Sequence, residues 1–379
     1  MLYRKFKDID VSALGFGLMR LPCLNDDRKQ LDMKKVREMV YYAMEHGINY
    51  YDTAYTYHDG ESERIAGKLL NEYPRERFYL ATKFPGFERE RFLRAPEIFQ
   101  EQLDKCQVDY FDFYLMHSVS DNNIALYMDD ELGLMDYLLK EKKAGRIRHL
   151  GFSTHSSIGN LRLFLEKYQD AFEFCQIQIN WIDWSYQNAK EKMDILRGYD
   201  LPVWVMEPLR GGYLASLDEE EEATLRAMRP NEGIPAWSFR YLQQFSEIGV
   251  ILSGMSTMEQ LKDNIETFSQ FKPVSEKENE ALLTLAKNKL AELVVPCTTC
   301  RYCVSECPQE LDIPEILETC NMYAFIKQIT NIPRRLQPLG DAGDPRRCIA
   351  CRSCESACPQ NILIAETMSK FGAKWKLGN

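Results

Sequence analysis

Hydrophobic positions along the first part of the chain switch repeatedly between a helical and an extended pattern. Val36, Met39 and Val40 recur at helical spacing after Asp32, a suitable N-cap residue, and Gly47 ends this segment. Short apolar runs bounded by turn residues predict strands between such helices. The predicted strands are 13–18, 48–51, one ending at residue 83, 111–116, 147–151, 173–179, 202–206 and 248–252. The predicted helices are 32–47, 61–72, 89–106, 128–143, 156–169, 185–199, 218–229, 234–245 and 257–270.

Strands that alternate with helices predict parallel pairing and right-handed crossovers. Eight such units favour the α/β class and a closed (β/α)8 TIM barrel, in which chemistry lies on loops after the carboxyl ends of the strands. An open doubly wound sheet is the competing arrangement. It needs a glycine-rich phosphate loop after its first strand, and Gly15-Phe16-Gly17 is too short for that. Residues 3–12 are expected to form a hairpin that closes the bottom of the barrel.

The pattern changes after the last predicted barrel helix. A further helix is predicted over 275–292, and from Pro296 onward cysteines, prolines and short segments replace the alternation. We therefore divide the chain into a barrel domain, 1–272, a linking helix, 273–295, and a small C-terminal domain, 296–379. The total of 379 residues suits a barrel of about 250 residues with an appendage.

Composition excludes several classes of partner. A formal net charge of −10 argues against nucleic acid and against anionic membranes as the main partner. There is no apolar run near the ~20 residues that span a bilayer, so membrane insertion is not expected. The first residues lack the apolar core of a signal peptide, which makes the cytoplasm the expected location.

Eight of the twelve cysteines stand in two groups of identical spacing. The groups are Cys297-x2-Cys300-x2-Cys303-x3-Cys307-Pro308 and Cys348-x2-Cys351-x2-Cys354-x3-Cys358-Pro359. Cytoplasmic thiols are kept reduced, so a metal is favoured over disulfides. The spacing is that of bacterial-type ferredoxins with [4Fe–4S] clusters. We therefore expect a small ferredoxin-like domain that holds two [4Fe–4S] clusters.

Which cysteines share a cluster is less closely defined by the spacing. In this type of ferredoxin the fourth cysteine usually ligates the other cluster. Crossed ligation would pair Cys297, Cys300 and Cys303 with Cys358, and Cys348, Cys351 and Cys354 with Cys307. The long insert between the groups, with a predicted helix over 313–329, leaves uncrossed ligation open. A pair of structural zinc sites is the alternative, but zinc prefers two separated CxxC pairs. Cys320, in the insert, is expected to be a buried thiol.

Polar residues stand at or just after three neighbouring barrel strands. Asp52 ends the second strand, and Tyr57 lies five residues later in the following loop. Lys83 ends the third strand and His117 the fourth. Singly, each has an ordinary structural explanation. Together, at the mouth where barrel enzymes carry out their chemistry, they predict a catalytic site.

At these residues the sequence resembles the aldo-keto reductase family, in the branch with a C-terminal ferredoxin-like domain. The resemblance covers roughly residues 1–272. The matching stretches are Leu14-Gly15-Phe16-Gly17-Leu18-Met19-Arg20-Leu21-Pro22, Tyr51-Asp52-Thr53-Ala54 through Tyr57, Ala81-Thr82-Lys83, Leu115-Met116-His117 and Gly151-Phe152-Ser153. The family's catalytic Asp, Tyr, Lys and His fall on Asp52, Tyr57, Lys83 and His117.

The resemblance implies reduction of a small aldehyde or ketone, or oxidation of the alcohol, with a nicotinamide cofactor. Tyr57 would donate a proton to the carbonyl oxygen. The Lys83 ammonium would lower the pKa of Tyr57 by favouring its phenolate. Asp52 would keep Lys83 charged and oriented, and His117 would position the carbonyl group.

The resemblance also implies a set of nicotinamide contacts, several of them altered. Ser153 and Gln176 match residues that hold the nicotinamide carboxamide, although the Asn that usually follows the Ser is Thr154. Met206 replaces the aromatic residue that stacks on the nicotinamide. Asp263 and Asn264 match residues that contact adenine. Gly254 and Gln260 replace the basic residues that bind a 2′-phosphate, which predicts a preference for NADH over NADPH, or weak nicotinamide binding overall.

Three functions are compatible with this sequence. The leading hypothesis is a carbonyl reductase whose chemistry is coupled to electron transfer through the clusters. Nicotinamides deliver two electrons as hydride whereas the clusters pass single electrons. Either a ferredoxin or flavoprotein partner docks, or the barrel binds something other than a nicotinamide, or the clusters are not redox-active in turnover. In the first alternative, the barrel is catalytically vestigial and the clusters relay electrons to a partner. In the second, the clusters are structural or oxygen-sensing in a plain reductase.

Overall fold

A computed structural model describes residues 1–24, 27–297, 299–326, 329 and 332–375. The chain divides into two compact units, Met1–Leu283 and Thr284–Asn379, which are described separately below. The boundaries of the three-part division, at 272/273 and 295/296, stay a prediction. Within the described ranges, no helix combines the length and the apolar character that crossing a bilayer requires.

Helices and strands alternate through the first unit as the hydrophobic pattern predicts. The strands are β1 Tyr3–Phe6, β2 Ile9–Ser12, β3 Leu14–Gly17, β4 Cys23–Leu24, β5 Asp27–Leu31, β6 Tyr50–Asp52, β7 Tyr79–Phe84, β8 Phe111–Val119, β9 Ile147–Thr154, β10 Phe174–Gln178, β11 Val203–Met206 and β12 Ile248–Ser253. The α-helices are α1 Met33–Glu45, α2 Glu61–Leu70, α3 Arg89–Leu93, α4 Ala95–Cys106, α5 Ile124–Tyr127, α6 Leu134–Lys143, α7 Ile158–Tyr168, α8 Asp183–Tyr186, α9 Ala189–Gly198, α10 Glu219–Met228, α11 Ile234–Gln243, α12 Met258–Thr267, α13 Glu276–Leu293, α14 Ile313–Met322, α15 Ser353–Ser356 and α16 Ile364–Lys374.

Eight parallel strands close into a barrel in the order β3-β6-β7-β8-β9-β10-β11-β12, with β12 again beside β3. The predicted TIM barrel is therefore confirmed, and the open doubly wound sheet is excluded. Because all eight strands run in one direction, their carboxyl ends meet at one face of the barrel. The register aligns Gly17 with Asp52, Asp52 with Ala81, and Lys83 with Leu115.

The antiparallel hairpin β1–β2 is the predicted plug. Phe6, at the end of β1, is 3% exposed and packs among rings at the amino ends of the strands. Its ring centre lies 5.6 Å from that of Phe113, 6.3 Å from that of Phe174 and 5.0 Å from that of Trp204. These aromatic side chains fill the lower barrel, behind the amino ends of the strands.

Several predicted helices are interrupted. The segment 89–106 is two helices, with Pro96 at the start of the second. Gly133 and Asn188 adopt left-handed backbone conformations, with φ of 61° and 52°, and shorten the helices predicted over 128–143 and 185–199. The helix predicted over 313–329 ends at Met322, and residues 327 and 328 lie outside the described residues. The sequence pattern predicted longer helices because apolar residues keep their helical spacing on both sides of these breaks.

Candidate functional site

The four residues expected at the barrel mouth lie together there. Lys83 Nζ donates to Asp52 Oδ1 and to the carbonyl oxygen of Thr53, each at 2.7 Å. Nζ also lies 5.0 Å from the centre of the Tyr57 ring. The rings of Tyr57 and His117 meet edge to face with their centres 5.9 Å apart. One lysine therefore connects a carboxylate to a tyrosine, and that tyrosine contacts a histidine.

The Lys83–Asp52 pair lies in a low-dielectric environment, with the two residues 0% and 3% exposed. Burial alone would lower the pKa of Lys83, but the Asp52 carboxylate and Tyr57 outweigh it and raise that pKa. Burial raises the pKa of Asp52, and the Lys83 ammonium counters this rise. Lys83 is therefore protonated at neutral pH, which supplies a fixed cation beside Tyr57.

Tyr57 departs from the expectation for its acidity. Burial raises its pKa, and the opposing effect of the Lys83 ammonium is smaller. The lowering expected from the Lys83 ammonium is present, but burial, which the expectation did not include, outweighs it. His117 responds in the other direction: burial and the Lys83 charge hold its pKa well below the usual range. At neutral pH the site therefore contains a protonated tyrosine and a neutral histidine.

The expected carboxamide contacts stand side by side on three neighbouring strands. Gln176 on β10 pairs in register with Ser153 on β9, and Gln178 pairs with Met206 on β11. Gln176 Nε2 lies 3.6 Å from the Met206 sulfur, and Ser153 Oγ accepts a hydrogen bond from the backbone of Ser118 at 2.7 Å. The Ser153 hydroxyl proton thus remains available to an acceptor.

Three buried polar atoms at this end of the barrel have no hydrogen-bond partner among the described residues: Asp52 Oδ2, His117 Nδ1 and Gln176 Oε1. Buried polar atoms are nearly always paired, so an orphaned group indicates a missing ligand or water. The Gln176 oxygen is an acceptor of the kind that a carboxamide NH2 group would need. The residues present therefore fit a nicotinamide.

The residues expected at the adenine and 2′-phosphate end of the cofactor differ in exposure and in their contacts. Gln260 Oε1 accepts from the backbone of Ser256 at 2.8 Å, beside the start of α12, and Asp263 is exposed. Asn264 is 5% exposed and donates to Ser253 Oγ at 3.1 Å, so its amide nitrogen is used within the protein. A Cβ at Gly254 would lie 3.1 Å from the side chain of Arg20. The contacts of Asp263 and Asn264 with adenine stay a prediction.

Sequence reasoning missed three side chains around the mouth. Arg20 Nη2 lies 3.4 Å from the position of a Cβ on Gly211, so its guanidinium extends from Gly254 toward the loop after β11. Glu207, at the end of β11, has a left-handed φ of 53° and its charge acts on Tyr57. The Phe87 ring centre lies 5.4 Å from that of His117. No residue pattern distinguished them, because their positions depend on how the loops converge.

The eight clustered cysteines line two cavities in the second unit. One cavity is lined by Cys307, Cys348, Cys351 and Cys354, together with Ile349, Ile364 and Met368. The other is lined by Cys297, Cys300, Cys303 and Cys358, together with Leu317 and Ile362. Each cavity thus combines three cysteines of one group with the fourth of the other, which is the crossed arrangement. Cys320 lines neither cavity and packs against the apolar core of this unit.

The two cysteine loops repeat the same backbone conformation. Left-handed residues stand at Thr299 and Arg301 in the first loop and at Ala350 and Arg352 in the second. Such turns direct backbone N–H groups inward and form anion-binding concavities that suit iron–sulfur clusters. The Thr299 amide donates to Cys297 Sγ at 3.4 Å. The surrounding aliphatic side chains and four thiolates fit a [4Fe–4S] cluster in each cavity. Among the described residues, no three His, Cys, Asp or Glu side chains converge tightly enough for a single metal ion.

Two sequence families match this chain. The aldo/keto reductase family matches residues 13–286, and the 4Fe-4S dicluster domain matches residues 296–363. The second match supports iron–sulfur over the zinc alternative. A probable aldo-keto reductase of Glycine max is 28% identical over 213 residues, which are 54% of this chain and 58%, less than two thirds, of that relative. The NADH-specific methylglyoxal reductase of Escherichia coli K12 is 24% identical over 304 residues, which cover 68% of this chain and 90% of that enzyme.

Solved structures share the barrel. The holo form of an aldo-keto reductase from Bacillus halodurans aligns with a TM-score of 0.60 and 24% identity, over 75% of this chain and 96% of that one. An aldo/keto reductase from Klebsiella pneumoniae in complex with NADP and acetate aligns with a TM-score of 0.57 and 19% identity, over 74% and 93%. At this identity, likeness shows the fold alone. The extent of the sequence match shows more: this chain belongs to the aldo/keto reductase family and carries a C-terminal, ferredoxin-like 4Fe-4S dicluster domain.

Proposed function

We propose that the barrel reduces a small aldehyde or ketone with a nicotinamide cofactor, and that two [4Fe–4S] clusters exchange single electrons with a redox partner. The observation that carries the first part is the buried Lys83, which bonds to Asp52 and Thr53 at 2.7 Å and lies beside Tyr57. A lysine held by a carboxylate against a tyrosine supports proton donation by that tyrosine. This chemistry is needed where negative charge develops on a carbonyl oxygen.

The protein groups would act in a defined order. A reduced nicotinamide, when bound, supplies hydride to the carbonyl carbon. His117 is neutral and has an unpartnered Nδ1, so its ring is free to orient the substrate oxygen. Tyr57 then donates its hydroxyl proton to that oxygen. The Lys83 ammonium stabilises the phenolate that remains, and Asp52 keeps Lys83 in place.

For the cofactor, NADH is proposed over NADPH. Ser153, Gln176 and Met206 would hold the nicotinamide. Gly254 and Gln260 supply no positive charge for a 2′-phosphate, and a dianion without Arg or Lys partners loses its strongest contacts. Arg20 extends along the same side but carries a single charge.

The clusters would be held by crossed sets of cysteines. The redox partner is proposed to be a ferredoxin, which exchanges single electrons, or a flavoprotein, because a flavin converts between two-electron and one-electron transfer. We also propose that the protein is located in the cytoplasm. A barrel that only supports an electron relay is the second candidate. It is favoured by the altered nicotinamide and phosphate contacts at Met206, Gly254 and Gln260.

Replacement of the proton donor tests the proposal. In Tyr57→Phe, carbonyl reduction is expected to fall by at least about a hundredfold, while NADH binding measured by fluorescence stays the same. Tyr55→Phe is the matched control: Tyr55 stands two residues away, partly exposed, and bonds to Glu101 at 2.9 Å. Carbonyl reduction that survives in Tyr57→Phe would reject Tyr57 as the acid. Wild-type protein that binds NADH and reduces none of a panel of aldehydes and ketones would instead favour the relay.

A further inference from the structure

A buried polar network lies behind the strand ends that carry Asp52 and Lys83. Its members are Glu63 on α2, Gln102 on α4, Thr82 on β7 and Tyr114 on β8, and all four are 0% exposed. Burying so many polar groups is unfavourable unless every one is paired. An apolar side chain would otherwise fill the space between the two helices and the barrel.

The hydrogen bonds of Gln102 fix the orientation of its amide. Its Nε2 donates to Glu63 Oε1 at 2.6 Å and to the carbonyl oxygen of Lys83 at 3.0 Å. Both partners are acceptors, so the nitrogen must face them. Tyr114 in turn donates its hydroxyl to Gln102 Oε1 at 2.6 Å. The network therefore ends on the backbone of Lys83.

Glu63 completes the connection between helix and strand. Its Oε1 accepts from Thr82 Oγ1 at 2.7 Å, one residue before Lys83. Its Oε2 accepts no hydrogen bond among the described residues and is compensated by the Lys105 ammonium, whose Nζ lies 3.6 Å away. The close approach of α2 and α4 allows this, because Gly67 has no side chain: a Cβ there would lie 2.6 Å from the backbone of Cys106. The strand end is thus tied to both helices.

The acceptor of the Lys83 ammonium is tied to the same helix. Thr53, whose carbonyl oxygen accepts from Nζ, lies with its Oγ1 2.7 Å from Ser62 Oγ. Nζ uses two N–H groups on Asp52 and Thr53, which leaves one for the side on which Tyr57 lies. Both the backbone and the ammonium of Lys83 are consequently anchored through the first turn of α2 and through Gln102.

We propose that Gln102, supported by Glu63, is a positioning residue that holds Lys83 against Tyr57. The proposal rests on the proposed function of Tyr57 and Lys83. A displaced Lys83 would stabilise the Tyr57 phenolate less, so the tyrosine would ionise at higher pH and donate its proton more slowly.

The test uses Gln102→Leu, which keeps the approximate volume and removes the polar contacts. The pKa of Tyr57 is measured without substrate, as the phenolate absorbance difference between each protein and the same protein with Tyr57→Phe. Loss of the anchor is expected to raise this pKa by about one unit, a tenfold change in ionisation. The kcat for carbonyl reduction is expected to fall about tenfold or more, with KM for NADH within twofold of wild type.

Gln100→Leu is the control, because Gln100 lies two residues away on the same helix and is exposed, with its bond to Asp104 at the surface. If Gln102→Leu does not fold, Tyr114→Phe frees the Gln102 amide at one end, and a smaller shift in the same direction is expected. An unchanged Tyr57 pKa in a folded variant would overturn the proposal. A shifted Tyr57 pKa in a protein that reduces no carbonyl would support the positioning role and reject the proposed function.

Discussion

The two sites of this protein are assembled in different ways. At the barrel mouth, Asp52, Tyr57, Lys83 and His117 come from separate strand ends and loops, and each depends on closure of the sheet. In the second unit, three cysteines of each cavity come from one short loop, and only the fourth comes from elsewhere in the chain. The barrel site depends on long-range packing, and the cysteine sites depend mainly on local backbone conformation.

Repetition makes the second case clearer. The left-handed residues Thr299, Arg301 and Glu310 recur at a constant interval as Ala350, Arg352 and Asn361. Helices α14 and α16 begin at the same interval. The domain therefore contains the same loop conformation twice, and the fourth cysteine of each group lines the cavity of the other group. Barrel residues have no such local signature, so single substitutions there should have effects that spread through packing and charge.

The largest expected effect is on the buried ion pair of the barrel. Lys83→Met leaves the Asp52 carboxylate buried without its cation, which is expected to reduce the free energy of unfolding by about 3–5 kcal/mol and to abolish carbonyl reduction. Asp52→Asn combined with Lys83→Met removes both charges and should recover most of the stability but none of the activity. Urea unfolding and turnover measure the two effects. Equal stability of the single and double variants would show that the pair does not behave as a buried ion pair.

The crossed cysteines provide the corresponding test of the second unit. Cys307→Ser is expected to alter the same cluster signal in electron paramagnetic resonance as Cys351→Ser, because both line one cavity. The other cluster should keep its signal. Cys320→Ser, at a half-buried thiol outside both cavities, is the control. A Cys307→Ser spectrum that matches Cys300→Ser instead would show uncrossed ligation.

A moderate effect is expected on cofactor preference. Gln260→Arg places a cation beside Ser256 at the start of α12 and is expected to tighten NADPH binding about tenfold, with NADH unchanged. Gln270→Arg makes the same exchange at an exposed position just after α12 and controls for net charge. Dissociation constants from fluorescence titration give the comparison. Wild-type protein that already prefers NADPH would contradict the assignment of this region.

The smallest effect is expected from pH. The pKa of Tyr57 and that of Lys83 are raised, and that of His117 is lowered well below its usual range. Each group therefore keeps one protonation state from about pH 7 to about pH 9, and kcat for reduction should be flat across that window. A rate that falls with a midpoint near neutral pH would require a titrating group that these shifts do not provide.

The barrel was predictable because its signal is repeated eight times. Helical and extended periodicity alternate along the chain, and errors at single helix ends do not change the topology. Helix breaks such as the one at Gly133 were missed because apolar spacing continues across them. The four site residues Asp52, Tyr57, Lys83 and His117 could be predicted because each stands at or near the end of a predicted strand. The sequence did not predict the roles of Arg20, Glu207 and Phe87, since their loops carry no periodic pattern.

The sequence by itself determined the elements, the fold class and the grouping of cysteines, because these depend on local spacing and on the preferences of neighbouring residues. Tertiary structure decided the charge states and the contacts. Burial outweighs the effect of Lys83 and raises the pKa of Tyr57, and packing buries Asn264 against Ser253. Packing also brings Gln102, from a helix on the outside of the barrel, within hydrogen-bond distance of the Lys83 carbonyl oxygen. Desolvation and long-range contacts exist only once distant segments have packed together.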